Sequence, residues 1–252
     1  MSDVEPVRGR PEPLRAVHVV VPARNEEALL PGALAALRAA VDHLTRTRPG
    51  VRADVTVVLD ACTDATPDLV AAAGWVHAHH VTSGTVGAAR SAGVDAAEAV
   101  DVPDRVWVAS TDADSRVPVD WLSVQVDLAD GGADLVLGTV EPDPTDTSAA
   151  QLAAWHRRHR LADGHAYVHG ANLGIRLSAY RAAGGFGAVA AHEDVRLAHR
   201  ARVAGAVVVA TDRIRVTTSG RATGRAPAGF AGYVRSLAPR LNAGTTPGVH
   251  PG

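Results

Sequence analysis

The chain has 252 residues, which at about 150 residues per domain lies between one large domain and two small ones and is enough to bury a sizeable core. Its formal charge is −2 and all 25 Lys+Arg positions are arginine, so there is no basic excess of the kind a nucleic-acid module carries. The single Cys62 excludes an intramolecular disulfide framework and fits a reducing, cytoplasmic setting, and no apolar run is long enough to span a membrane.

Residues 1–15 contain acids and prolines without a signal-like apolar stretch, and read as a loosely ordered tail. The run AVHVVV at 16–21, stopped by Pro22, predicts a buried strand. Leu30, Leu34, Leu37, Val41 and Leu44 repeat at helical spacing and predict a helix over 29–44. DVTVVL at 54–59 predicts a second strand, followed by Asp60 and a helix start at Asp64, Thr66 and Pro67. An apolar piece at 75–81, an alanine-rich helix over 86–99 and the strand RVWVA at 105–109 come next. This alternation predicts an α/β fold with a mainly parallel sheet covered by helices on both faces.

The second half is less regular. It predicts a helix at 119–128, a strand at 135–139, a Pro/Asp loop at 141–146 and a His- and Arg-rich helix at 148–161. A glycine-rich passage at 164–187, a helix at 193–204 and two apolar runs at 206–210 and 214–216 follow. We therefore expect one domain over 16–240, with a nucleotide-binding half to 118 and an acceptor-binding half from 119, and a flexible tail at 241–252.

In an open parallel sheet, ligands gather beyond the carboxyl ends of the strands, where loops converge and helix N-termini point inward. Polar residues fall at those ends: Pro22, Ala23, Arg24, Asn25 and Glu26 after the first strand, Asp60 after the second, and Ser110, Thr111, Asp112, Ala113 and Asp114 after the fourth. Asp112 and Asp114 suit a hard divalent cation whose shell phosphate oxygens complete. Asp60 either caps the turn that follows it or accepts a hydrogen bond from a nucleotide base. Arg24 and Glu26 are a surface pair, or an arginine placed for phosphate. The segment 83–90, ending in Arg90, is an ordinary loop or a helix N-terminus offering N–H groups to an anion.

Glu193 and Asp194 open a helix, where acids are favoured by the macrodipole; in a partly closed pocket the same pair supplies a general base. The stretch from His169 through Gly170 and Asn172 is too polar and glycine-punctuated for a plain core strand, and reads as a lining where substrate approaches the backbone. The 12 histidines include His77, His79 and His80 together and His156 and His159 at i, i+3. Strand alternation and a helix face account for them without a metal.

These blocks, taken in order, resemble the inverting family 2 glycosyltransferases of the GT-A fold. VVVPARNEE (19–27) resembles the opening strand and its Pro-x-x-Asn-Glu turn, and VVLDACTDAT (57–66) the second strand with its nucleotide-binding aspartate. GAARSAG (87–93) resembles the Gly-x-x-x-Arg-Asn segment, with Ser91 where asparagine is common. STDADSRVPVDWL (110–122) is similar to the metal-binding Asp-x-Asp block, and 169–186 with 192–205 to the acceptor block and the Glu-Asp motif. The Gln-x-x-Arg-Trp signature of processive members has no match after Gly205, which points to the soluble, non-processive type.

The resemblance implies a UDP- or GDP-linked sugar as donor and Mg2+ or Mn2+ on Asp112 and Asp114. Pro22, Ala23, Arg24, Glu26, Asp60, Arg90 and Ala113 would make the donor site. Asp194 would be the base, with Glu193 the next candidate, and Trp121, His169, Gly170 and Asn172 would line the acceptor side. The acceptor stays open among a small molecule, a lipid carrier and a glycan, and a lipid carrier would place the protein peripherally at a membrane. Arg221 and Arg225 are expected either to fold over the diphosphate, since a guanidinium suits phosphate oxygens, or to form a flexible basic loop. Two alternatives remain: a sugar-nucleotide-forming nucleotidyltransferase, disfavoured because 22–32 has acids where a glycine-rich basic grip is needed, and a non-catalytic binding protein of the same fold.

Overall fold

Strand β1 (Ala16–Ala23) is buried along almost its whole length, because it pairs on both edges and is covered on both faces. The computed structural model describes residues 12–97, 102–189, 191–221 and 230–237. In it Val17, Val19 and Val21 enter one core layer, while Ala16 and Val20 enter the other. That is the two-residue period of a strand read onto two faces. β2 (Arg52–Asp60) and β4 (Val106–Ser110) flank β1 in parallel, and β3 (His77–Val81) extends the sheet beyond β2.

On the other side of β4 the direction changes. β7 (Leu173–Arg176) runs antiparallel to β4 and to β6 (Leu135–Pro142), β6 is parallel to β8 (Val208–Thr218), and the two-residue β5 (Ser115–Arg116) closes that edge. The order is β3-β2-β1-β4-β7-β6-β8-β5. One face is covered by α1 (Leu30–Thr47), α2 (Thr66–Ala73), α4 (Trp121–Asp130), α5 (Ala149–Arg158) and α8 (Phe230–Ser236). The other carries α3 (Val86–Ala97), α6 (Leu177–Ala182) and α7 (Glu193–Val203). Among the described residues no helix is long and apolar enough to cross a membrane.

Several expectations need correction. The passage 169–174 is not a loop lining throughout: 170–172 form a single 3-10 turn and Leu173 begins β7, a buried strand in the middle of the sheet. The apolar runs at 206–210 and 214–216 belong largely to one strand, β8, whose pairing with β6 shifts register between Gly138 and Val140. The chain is already packed before residue 16, with Leu14 buried and Arg15 bonded through its backbone to Arg105 and Arg52. The tail expected at 241–252 lies outside the described residues, as do 1–11.

α3 lies directly on β1 and β2. A Cβ at Gly93 would sit 2.5 Å from Val20 and 2.8 Å from Val58, so glycine permits the close approach. In the same place the buried ring of His18 donates from Nε2 to the carbonyl of Gly93 at 3.2 Å. Burial pushes His18 down to about 4, which keeps the ring neutral in the folded protein. Its folded value lies below the ordinary 6.5, so its contribution is present above that value and is lost as pH falls through about 4. Urea titrations at a series of pH values should therefore show stability falling from pH 6.5 toward 4 more steeply in the native protein than in His18→Gln. Equal slopes would mean that His18 protonates freely.

Candidate donor and catalytic site

The carboxyl ends of β1 and β2 are knitted into one rim. Asn25 Oδ1 accepts from the Thr63 amide at 2.7 Å, Glu27 Oε2 from the Ala65 amide at 2.9 Å, and Asp64 Oδ2 from the Glu27 amide at 3.1 Å. The Glu26 amide donates to Thr66 Oγ1 at 2.7 Å. Among the described residues, the non-glycine residues with positive φ are Asn25 (56°), Ala61 (49°) and His192 (61°). All three flank segments expected to bind ligand, which is where backbone strain tends to be retained. Asp60, at the end of β2, is buried and accepts from the amides of Ser83 (2.8 Å) and Gly84 (3.3 Å), so it closes the turn after β3. The side chain of Arg24 is exposed.

Arg90 is the centre of the site. It projects from α3, is almost wholly buried, and pairs with Asp112 at 2.5 Å and with Glu193. Burial opposes its charge, but Asp112, Glu193 and Asp194 together hold it above the ordinary arginine range. Glu193 is displaced upward by burial, against the pull of Arg90. The guanidinium needs room: a Cβ at Gly170 would lie 2.5 Å from it, and one at Gly87 would meet the Gly187 carbonyl at 2.2 Å and Glu193 at 3.0 Å.

Asp194 sits beside this cluster at the start of α7, after the left-handed His192. Its Oδ2 accepts from the Gly170 amide at 2.7 Å and its Oδ1 from the Val195 amide at 2.8 Å. Ser110, the last residue of β4, donates to the Gly170 carbonyl at 2.8 Å and ties that turn to the strand end. His169 borders Asp194; burial lowers it to about 4 despite the nearby carboxylate, so the ring is neutral.

On the opposite side of Asp112, the carboxylate of Asp114 meets a second arginine. Arg221 forks onto Glu26 with two 2.7 Å bonds and reaches Asp114 at 3.0 Å. Burial and the charge of Asp112 push Asp114 up to about 6, against the pull of Arg221. Thr111 Oγ1, adjacent to Asp112, is buried with no hydrogen-bond partner among the described residues. Asp146 was not singled out from the sequence, yet it anchors this side by accepting from Ser219 Oγ at 2.6 Å and from the Gly220 amide at 2.8 Å. Its only signal was membership of the Pro/Asp loop.

Two residues expected on the acceptor side face the interior. Trp121 is fully buried and donates from Nε1 to Asn172 Oδ1 at 2.9 Å. Asn172 Nδ2 donates to the carbonyls of Thr139 and Ile214, both at 2.7 Å, at the register shift between β6 and β8. These groups repair an interrupted ladder and lie in the interior. Pro22, Ala23 and Ala113 lie at the strand ends as expected, with Ala23 and Ala113 buried. Arg225 lies outside the described residues. His156 pairs with Glu141 at 3.2 Å, and His159 stacks on Trp155 with ring centroids 3.7 Å apart.

The glycosyl transferase family 2 model matches residues 18–181, from β1 through nearly all of α6. The chain belongs to glycosyl transferase family 2. Comparison with curated proteins gave no match. Among solved structures, this family 2 chain is similar to S. aureus TarS 1-349 in complex with UDP, at TM-score 0.59 and 17% identity over 81% of this chain and 61% of that one. It is similar to the mannosyltransferase PcManGT from Pyrobaculum calidifontis in complex with GDP-Man and Mn2+, at TM-score 0.59 and 20% identity over 88% and 62%. It is similar to glucosyl-3-phosphoglycerate synthase from M. tuberculosis, at TM-score 0.52 and 19% identity over 84% and 74%. The chain thus spans less than two thirds of the first two. At these identities the likeness is one of fold, and the fold is GT-A.

Gly170 offers a direct check of the Arg90 cage. Gly170→Ala should lower stability by about 1–3 kcal/mol in urea titration, as overpacking against buried groups does. An unchanged midpoint would mean that Arg90 does not lie over this turn.

Proposed function

We propose that this family 2 chain transfers a sugar from a nucleotide-diphosphate sugar to an acceptor hydroxyl, with inversion at the anomeric carbon and dependence on a divalent metal. One observation carries the reading. Arg90 ties Asp112, from the end of β4, to Glu193, the chain neighbour of Asp194, so acids from distant segments share one crevice. Family membership supports the same reading, as does the fold likeness to structures described in complex with UDP or with GDP-Man and Mn2+.

The rim of Pro22, Ala23 and Arg24 with Asp60 would take the base and ribose, and Arg90 would present its charge beside the phosphates while holding Asp112. Asp112 and Asp114 would hold Mg2+ or Mn2+. The fit is chemical: Asp114 resists carrying its charge alone next to Asp112, and hard cations prefer such oxygens. Two carboxylates leave positions on such an ion that the oxygens of a diphosphate would fill. When bound, the ion would supply Lewis-acid neutralisation of charge on the departing diphosphate.

On the acceptor side, the backbone donors Gly170 and Val195 fix the orientation of Asp194. The acceptor oxygen bonds to the anomeric carbon from the face opposite the diphosphate while the carbon–oxygen bond to the diphosphate breaks. The nucleotide diphosphate leaves with that electron pair, and the hydroxyl proton passes to Asp194. His169 and Gly170 would border the acceptor, whereas Trp121 and Asn172 would support the wall behind it. Glu193, buried against Arg90, would act as a positioning residue.

Asp194→Asn should keep donor affinity and lose roughly 10²–10⁴ in transfer rate, the usual worth of a general base. Native turnover in that variant would remove Asp194 from the role. Melting temperatures with UDP, GDP and their sugars should rise more with Mn2+ present than without it, since a ligand of the native form raises stability. Asp112→Ala and Asp114→Ala should abolish that metal-dependent increment, and an increment that survives in both would refute the metal site.

A further inference from the structure

We propose that Arg221 is a built-in placeholder for the divalent cation, seated on Asp114 and Glu26 until metal and nucleotide diphosphate arrive together and displace it. This rests on the reading of Asp112 and Asp114 as metal-holding residues.

Three carboxylates from two strand ends, Glu26 after β1 and Asp112 and Asp114 after β4, act on the charge of Arg221. Arg221 answers them with one guanidinium, which makes both bonds to Glu26 and the contact to Asp114 Oδ2. A divalent ion on Asp114 would claim the same carboxylate and place two positive charges beside a third. The two cations therefore compete, strongly so because the side chain of Asp114 is only 17% exposed.

The backbone under Arg221 is pinned, which makes it a pivot rather than a loose tether. Ser219 and Gly220 are held by Asp146, and the Ser219 amide donates to the Asp114 carbonyl at 3.1 Å. A Cβ at Gly220 would lie 1.8 Å from Thr147 Oγ1, so this approach needs glycine. The Arg221 side chain itself remains partly exposed at 24% and lines an open cleft next to the β1 turn, so it has room to move. A diphosphate offers the displaced guanidinium a bidentate partner equal to the one it leaves. Metal alone has to expel the arginine into solvent, whereas metal with diphosphate re-houses it. Binding of the two is then mutually reinforcing.

The test is calorimetric titration of Mn2+ into the full chain, alone and with saturating UDP or GDP, for native protein and Arg221→Gln. Arg221→Gln should bind Mn2+ alone roughly tenfold more tightly than native protein, and the gain in Mn2+ affinity from nucleotide should shrink by a similar factor. Unchanged or weaker binding of Mn2+ alone, with nucleotide-dependent binding intact in native protein, overturns the placeholder and leaves the metal site standing. If native protein binds no Mn2+ even with either nucleotide, the metal site falls and the placeholder falls with it. Circular dichroism of the free proteins checks folding. Should Arg221→Gln not fold, Arg221→Lys carries the same test: it keeps a charge but loses the fork, and must still bind Mn2+ alone more tightly than native protein.

Discussion

A guanidinium taken out of water is tolerated only where carboxylates meet it with good geometry, and the arrangement of this molecule follows from that requirement at Arg90. The arginine leaves α3 on one face of the sheet, and its two partners come from the end of β4 and the start of α7. Segments 22 and 103 residues away in sequence are thereby fixed to one side chain. Loss of Asp112 or Glu193 would leave Arg90 with one close carboxylate instead of two, so the cluster would be weakened while its buried charge stayed paired. The glycines at 87 and 170 belong to the same constraint, since a methyl group at either would occupy space held by the cluster or the chain around it.

The two arginines paired with these acids are held in different ways. Arg90 is locked: its side chain is 4% exposed, with an acid on each side and glycine beneath. Arg221 is fastened to acids on one side but partly open to solvent, and its partner Glu26 lies 195 residues earlier in the chain. An acid-rich crevice has to be neutralised in every state for the chain to stay folded around it. A buried cation on Asp112 and Glu193 and a more exposed one on Asp114 and Glu26 divide that task.

Much of this could be read from the residues. β1, β2 and β4 announce themselves because strands buried on both faces are continuous apolar runs, and their polar successors mark the crevice. Asp112 and Asp114 stand out for the same positional reason, and Glu193 and Asp194 because they open a helix. β7 did not, because four residues that include Gly174 carry too little pattern. That glycine is required by contact, since a Cβ there would strike Gln125 and Trp107. β8 reads as two pieces because its polar middle, Thr211–Arg213, runs into the irregular pairing with β6 between Thr211 and Val216. The acceptor-side expectation for Trp121 and Asn172 comes from the resemblance of their blocks, while the broken ladder that Asn172 completes is visible only in three dimensions. Asp146 and the Glu26–Arg221 fork are long-range pairings, which local pattern does not encode.

The direction reversal at β7 explains how a mainly parallel sheet brings the residues after β4 and those before β7 to one edge. β4 delivers its carboxyl end, Ser110, and the acids that follow it. β7 is antiparallel and pairs Leu173 with Ser110, so it delivers the residues that precede it, 169–172, to the same edge. Had β7 been parallel, that edge would receive Arg176, which is buried and bonded to backbone carbonyls elsewhere, and the Gly170 amide would lie at the far end of the sheet. The hydrogen bond from Ser110 to Gly170 and that from Gly170 to Asp194 are thus consequences of strand direction. One inverted strand places the start of α7 against the end of β4, and Arg90 needs only to reach out from α3 to join them.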